Sequence, residues 1–133
     1  MSSRSKIVLR LIFLFAIMIF WGTFVFCQEA PKFKFLDSRV INVPSIRAGE
    51  TYNVSVRYKN EGNQTLVIKK VNKTCNCTKA VVQHKILEPG ASGQVDITID
   101  TEGKRGQNTI VITLATNAKP ASSIIRINLN VIP

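Results

Sequence analysis

The stretch YKNEGNQTLVIKKVNKTCNCTKA, residues 58–80, decides the fold of this chain. It begins with a turn around Gly62, continues into an apolar segment at residues 66–71 and ends in a Cys-x-Cys pair. Gly and Asn tolerate the backbone angles that tight turns require, so they are typical of connections between strands. The stretch therefore predicts a turn, a strand and a strand-to-loop junction in direct succession.

Apolar and polar residues alternate on both sides of this stretch. A period of two places successive side chains on opposite faces of a strand, so that one face is buried and the other is solvated. The clearest alternation lies at residues 52–58, 95–99, 110–114 and 125–131. Further strands are predicted at residues 33–35, 39–43, 66–71 and 80–84. Short strands with Gly-rich turns between them predict an all-β antiparallel β-sandwich of seven or eight strands.

The N-terminus has the organisation of an export signal. Three basic residues precede an apolar run at residues 11–21: Arg4, Lys6 and Arg10. The end of the segment fits the small-residue cleavage pattern, which predicts a signal peptide at residues 1–27, cleaved between Cys27 and Gln28. The domain is then expected in the periplasm or at the cell surface.

Two alternatives use the same segment. Cys27 is a candidate for lipidation, although the preceding residue, Phe26, is larger than a bacterial lipidation site normally has. The segment also approaches the roughly 20 apolar residues that span a bilayer, so residues 7–26 are a candidate membrane tether if cleavage does not occur. Both alternatives retain export and add a membrane anchor.

Removal of residues 1–27 leaves 106 residues and lowers the net charge from +10 to +7. This length predicts one domain, at residues 33–133, after a short linker at residues 28–32. The densest basic group surrounds the two mature cysteines: Lys69, Lys70, Lys73, Lys79 and Lys85. Such a surface attracts anionic glycans, lipid headgroups or an acidic partner, or is simply a solvated face. Nucleic acid is not expected, because no aromatic residues are interleaved with the basic ones.

Cys75 and Cys77 are the first candidates for chemistry. In an oxidising compartment they can close a disulfide, although so short a ring favours a reducible bond. The alternative is a Cu(I) or redox site, since thiolates select soft metals and neighbouring lysines stabilise the thiolate form. His84, the single histidine, is the optional third ligand. These three residues fall short of a tetrahedral zinc site.

Catalysis is not expected from this sequence. Neither a carboxylate motif nor an activated serine accompanies His84, so no acid–base or nucleophilic mechanism can be assembled. The mature aromatic residues sit at core positions of predicted strands, which argues against a carbohydrate-binding platform. Recognition through an open strand edge remains, because a partner's strand can add there through main-chain hydrogen bonds alone.

The order of these elements resembles the family named domain of unknown function 1573. The residues that carry the resemblance are, in chain order, Tyr58, Asn60, Gly62, Asn63, Leu66, Ile68, Thr74, Cys75, Cys77, Thr78, Ile86, Glu88, Pro89, Gly90, Thr116 and Asn117. The resemblance spans residues 33–131 and implies an immunoglobulin-like fold, related to major-sperm-protein and Hydin-type domains. It also implies an exported bacterial protein, notably of the Bacteroidetes, with no established enzyme activity or ligand.

One departure from the family lies between the two cysteines. The family usually has glycine there, and this chain has Asn76. Asn is the next most tolerant residue for left-handed backbone geometry, so a tight turn is still predicted at this position.

Together these observations predict a noncatalytic interaction or scaffold module of the bacterial cell envelope, without a cofactor and with another envelope protein as its partner. The alternative function is the thiol site at Cys75 and Cys77, with Cu(I) as cofactor or with redox cycling.

Overall fold

The computed structural model describes residues 3–20 and 30–133. Helix α1 spans Ser3–Phe20 and precedes nine strands. The strands are β1 (Phe33–Phe35), β2 (Val40–Arg47), β3 (Thr51–Asn60), β4 (Leu66–Lys73), β5 (Thr78–Val82), β6 (Ile86–Leu87), β7 (Ser92–Asp100), β8 (Gly106–Thr116) and β9 (Ser122–Ile132). One sheet has the strand order β1-β3-β7-β5, and the other has the order β2-β9-β8-β4-β6.

The β-sandwich prediction is confirmed, because both sheets contribute to one hydrophobic core. Its fully buried side chains are mostly β-branched or aromatic and come from alternate positions of the long strands, among them Val56, Tyr58, Val95, Ile97, Ile99, Ile110, Ile112, Leu114, Ile125 and Ile127. Branched side chains pack well on a pleated surface, and their alternation with polar residues fixes which face of each strand turns inward. The period-two segments therefore produced the long strands.

Three details differ from the sequence prediction. The described residues contain nine strands, because the two-residue strand β6 was missed and is too short to show a period. The pairing of β2 with β9 is parallel, although an antiparallel sandwich was expected. The fifth strand runs over Thr78–Val82 and not over residues 80–84, so its predicted C-terminal end, including His84, lies outside it.

β2 is an edge strand with a defect in its middle. Its pairing with β9 shifts register between Val43 and Ile46, and Pro44 lies within this irregular stretch. Proline lacks the amide donor that a ladder requires, so it is tolerated at an edge or a bulge. The same defect makes this edge a poor template for another strand.

Helix α1 contains the predicted basic residues and most of the apolar run of the N-terminal segment. None of the helices in the described ranges is long and apolar enough to cross a membrane. The predicted cleavage or lipidation site at Cys27 and Gln28, and the end of the candidate tether at residues 21–26, lie outside the described residues. Export, cleavage and tethering therefore stay predictions.

Candidate interaction site on an open flank of the sandwich

Tyr58 lies inside the sandwich and is held from two sides. Its ring is fully buried and stacks on the Phe33 ring with centroids 5.1 Å apart. Its hydroxyl donates to the backbone carbonyl of His84 at 2.7 Å. Burial raises the pKa of Tyr58 to about 12, because the charged phenolate is poorly solvated there. Tyr58 is therefore a neutral anchor for the chain after β5.

Asn60 is completely buried and satisfies four backbone groups. Its Oδ1 accepts from the amides of Lys32 at 3.2 Å and Gly62 at 3.0 Å. Its Nδ2 donates to the carbonyls of Gln64 at 2.7 Å and Leu87 at 3.0 Å. One side chain thus closes the turn after β3 and ties it to the chain before β1 and to β6.

The predicted linker at residues 28–32 contributes to this junction where it is described. The Lys32 carbonyl accepts from the Glu61 amide at 2.8 Å. Backbone atoms of residues 30–32 fill the space beside Gly62, so no side chain fits at that position. Residues 30–32 are therefore packed on the domain, while residues 28 and 29 lie outside the described ranges.

Asn117 performs a similar task at the start of β4. Its Oδ1 accepts from the Val67 amide at 2.8 Å, and its Nδ2 donates to the Thr65 carbonyl at 3.0 Å. Sequence reasoning had given Asn60 and Asn117 no role. Both are polar residues of the family pattern that hold turns and strand ends. The signal that could have identified Asn60 was its position beside the predicted turn around Gly62.

The two mature cysteines form a disulfide between β4 and β5. The Cα atoms of Cys75 and Cys77 lie 5.2 Å apart, and the Cys77 amide donates to Cys75 Sγ at 3.2 Å. The Thr78 amide donates to the Cys75 carbonyl at 3.2 Å, which leads the chain directly into β5. The predicted tight turn is present, but Asn76 does not use left-handed geometry, since no described non-glycine residue has a positive φ.

The structure does not bring His84 to the cysteine pair. Cys77 precedes β5 and His84 follows it. A strand advances about 3.3 Å per residue, so the four steps from Thr78 to Val82 put roughly 13 Å between the two ends of β5. His84 is exposed and lies with Arg57 and Gln83 on the surface of the sheet. Among residues 3–20 and 30–133, no three His, Cys, Asp or Glu side chains are grouped as metal ligands would be.

One side of the sandwich is left open by the strand order. β5 is the last strand of its sheet, and β6 covers only Leu66 and Val67 of β4. Residues 69–73 of β4 and all of β5 therefore have no neighbouring strand on this side within the described part of the chain; we call these two segments the open flank. Lys73 bridges them, because its Nζ donates to the Thr78 carbonyl.

The hydrogen bonds of β5 show which of its peptide groups face outward. The Asp100 amide donates to the Cys77 carbonyl at 2.9 Å, and the Gln83 amide donates to the Gln94 carbonyl at 3.0 Å. Peptide groups of an antiparallel edge strand alternate between the ladder and the outside. Those of Ala80 and Val82 therefore point away from β7.

The remaining outward peptide group of β5 is already engaged. The Thr78 amide bonds to the Cys75 carbonyl, and the Thr78 carbonyl accepts from Lys73. On β4, the Thr74 amide donates to the Val111 carbonyl at 3.1 Å, so the same alternation turns the peptide groups of Val71 and Lys73 outward. The open flank thus offers backbone donors and acceptors on both sheets.

The other edges are shorter or blocked. β1 has three residues and β6 has two. On β2, the Ser38 hydroxyl accepts from the Val40 amide at 3.2 Å and donates to the Val40 carbonyl at 2.7 Å. Pro44 removes a donor further along the same strand. Short, capped or proline-containing edges resist strand addition, which favours the open flank among the described edges.

The predicted basic cluster lies on and beside the open flank. Its members are on β4, on β5 and in the segment before β6: Lys69, Lys70, Lys73, Lys79 and Lys85. The ion pairs among the described residues are Lys34–Glu61 and Arg57–Asp37, at 2.9 and 2.7 Å. No described carboxylate therefore lies within ion-pair distance of the five lysines. The nearest strand, β7, carries Asp96, whose carboxylate is occupied by donors from Ser55, Gln83 and Gln94.

A separate ion pair, between Asp37 and Arg57, fixes the chain after β1. Asp37 accepts from the Arg57 amide at 2.8 Å and from its guanidinium at 2.7 and 3.0 Å. These hydrogen bonds favour the carboxylate and lower the pKa of Asp37 from 3.8 to about 2. A lowered native pKa stabilises the fold above the unfolded-state pKa, and this contribution is lost as the pH falls from about 4 to 2.

We expect Arg57→Gln to raise the pKa of Asp37 toward 3.8, because it removes the guanidinium donors. An NMR titration of the side-chain carboxyls measures this directly. Asp96 is the internal control, since the pKa of Asp96 is lowered mainly by the Ser55 hydroxyl and not by Arg57. An Asp37 titration that does not move in the variant contradicts this assignment.

Two mostly antiparallel sheets that share one hydrophobic core define an immunoglobulin-like β-sandwich domain. The chain belongs to the family described as protein of unknown function (DUF1573), whose family model matches residues 34–131. No curated protein matches the sequence.

Several solved structures share the fold. A protein of unknown function from Porphyromonas gingivalis W83 has a TM-score of 0.68 and 19% identity, covering 81% of this chain and 51% of its own. The chain thus spans about half of that protein. The ASH/PapD-like domain 7 of human CEP192 has a TM-score of 0.61 and 14% identity, covering 77% of this chain and 87% of its own. The YadV chaperone has a TM-score of 0.53 and 9% identity, and the match covers 76% of this chain and 52% of the chaperone.

Proposed function

We propose that this domain is a noncatalytic interaction module of the bacterial cell envelope, which binds a protein partner by strand addition at the open flank. The observation that carries the proposal is the pair of outward peptide groups at Ala80 and Val82. The lysines beside them form no ion pair with a carboxylate of the described residues. Main-chain groups at a sheet edge bind an extended segment without any side-chain motif.

The buried polar side chains of the domain support a noncatalytic role, because they serve the fold. Asn60 holds four backbone groups, as described above. Thr101 Oγ1 donates to the carbonyls of Arg47 at 3.0 Å and Glu50 at 2.6 Å, and Thr116 Oγ1 accepts from the Ala118 amide at 3.2 Å. These groups are occupied by hydrogen bonds to the backbone of the domain itself.

Two of the similar folds belong to a PapD-like domain and to a chaperone. The likeness is one of fold, and it supports an interaction module in general without naming a partner. The envelope location comes from the N-terminal export pattern and is part of the proposal.

Site-specific photo-crosslinking in the native envelope tests the proposal. A photoreactive residue at Val81 on β5 is compared with one at Val40 on β2; the two valines are 42% and 45% exposed and so form a matched pair. We expect a discrete protein adduct from Val81 and none from Val40. Capture from Val40 alone, or from neither position, contradicts the proposal.

The substitution Ala80→Pro sharpens this test. It removes an outward amide donor and leaves the β5–β7 ladder bonds in place, so capture from Val81 should fall sharply.

Replacing both Cys75 and Cys77 with serine separates the proposal from the thiol alternative. We expect the adduct to persist in that double variant and the purified protein to contain no stoichiometric copper. Tight Cu(I) binding that the double variant loses would favour the thiol site.

A further inference from the structure

We infer that the partner supplies an extended acidic segment, in which acidic and small apolar residues alternate, and that this segment pairs with β5. The inference rests on the proposed function and specifies the chemistry of the partner. It follows from the outward backbone of β5, from the charge around it and from the two different environments beside it.

The backbone of β5 sets the length and position of the added strand. Ala80 and Val82 each present one amide and one carbonyl to the outside. At Thr78 both groups are engaged by Lys73 and Cys75, so pairing ends there. The added strand therefore lies along residues 80–82, because the chain beyond β5 is bonded to β7, Tyr58 and β4 on its way to β6.

The charge of the open flank selects an acidic segment. All five lysines of the cluster lie on or next to the two strands, and none has a described carboxylate within ion-pair distance. Asp96 and Asp100 lie on β7, opposite Val81 and Cys77, and are therefore separated from the edge by β5 and the residue before it. An approaching carboxylate at the edge is thus attracted by the five lysines over about 10 Å at moderate salt.

The two faces beside β5 differ, and this difference predicts the alternation. Ala80 and Val71 are partly buried and pack against the core between the sheets, whereas Lys79 lies on the outer face. In an added strand, successive side chains point to opposite faces. Those directed inward meet Ala80 and Val71, where small apolar groups fit, and those directed outward lie beside Lys79 and the exposed Val81.

An anionic lipid surface is the competing occupant of a basic patch. Lipid phosphates accept hydrogen bonds from lysines and outward amides but offer no donors to the outward carbonyls of Ala80 and Val82. A peptide strand satisfies both kinds of group. The open backbone therefore favours a protein segment.

Peptide binding to the purified exported protein tests the inference. The probe is a capped, fluorescently labelled heptapeptide of alternating Glu and Val. Its controls are the same peptide with Lys for Glu, and the acidic peptide N-methylated at alternate residues, which removes the edge donors. We expect the acidic peptide to bind at least about tenfold more tightly than either control by fluorescence anisotropy, and its affinity to fall with salt. The backbone amide signals of Ala80 and Val82 should shift on binding.

Charge reversal locates the site. Lys79→Glu combined with Lys85→Glu should weaken binding of the acidic peptide by about tenfold, whereas Lys119→Glu, in the exposed loop between β8 and β9, should not. Equal binding of the acidic and basic peptides, or an affinity unchanged by N-methylation, overturns the inference. Binding to anionic phosphatidylglycerol vesicles without binding of the acidic peptide overturns it in favour of lipid. In each of these cases the Val81 crosslink still decides the proposed function separately.

Discussion

Replacing Asn60 with alanine is expected to lower the free energy of unfolding by about 3–5 kcal/mol. The substitution removes four hydrogen bonds and leaves two amides and two carbonyls without their partner. An unsatisfied buried polar group costs about 1–3 kcal/mol, and water reaches only the more exposed of these groups. The total free energy of unfolding of a small domain is about 5–15 kcal/mol. The loss of this one side chain would therefore remove a large part of the stability of the fold.

Urea unfolding measures the loss of stability. The m-value should not change, because it reports the surface exposed on unfolding and the fold stays the same. Asn63→Ala is the matched control: Asn63 belongs to the same turn and the same family pattern but is exposed. We expect the control to lie within about 0.5 kcal/mol of the parent protein. If Asn60→Ala costs no more than Asn63→Ala, Asn60 is not the residue that holds this junction.

The sequence predicted the long strands well because their alternation is a local property. In β3, β7, β8 and β9, the buried positions are apolar except for Asn60 and Thr116 at strand ends, and most outward positions are polar. The sequence of each segment therefore indicates which of its faces is buried. Strand neighbours are not a local property. The parallel pairing of β2 with β9 joins strands from the N-terminal and C-terminal parts of the domain sequence, and no pattern within either strand predicts it.

The candidate site was predictable only in part, for the same reason. The lysines and cysteines were identified because they are close in sequence. The openness of the flank depends on β6 covering only two residues of β4 and on β5 ending its sheet, and both facts follow from the strand order. His84 illustrates the opposite error: seven residues from Cys77 is near in a loop but far along an extended strand.

Replacing Gly93 with alanine is expected to destabilise the domain by about 2–4 kcal/mol, since overpacking of a core typically costs 1–3 kcal/mol and a hydrogen bond is also at risk. A Cβ at this position would lie 2.8 Å from Cζ and Oη of Tyr58. The ring has little room to retreat, because it is fully buried and stacks on Phe33. Moving it would also break the hydroxyl bond to the His84 carbonyl.

Gly49→Ala is the control that separates crowding from backbone strain. Gly49 has a φ of +88° but no atom within 4 Å of an added Cβ, so alanine there should cost about 1 kcal/mol from strain alone. Gly93 has no positive φ, so the cost of its replacement comes from crowding. Thermal and urea unfolding of the two variants compare these effects directly.

A double-mutant cycle then assigns the crowding to Tyr58. Tyr58→Leu is itself destabilising because it leaves a cavity, but it removes the ring atoms that an added Cβ at Gly93 would meet. Gly93→Ala should therefore cost at least about 1 kcal/mol less in the Tyr58→Leu background than in the parent protein, since residues in direct contact couple by about 0.5–3 kcal/mol. Additive losses would show that the ring does not oppose the new methyl group, and that a different contact makes glycine necessary at position 93.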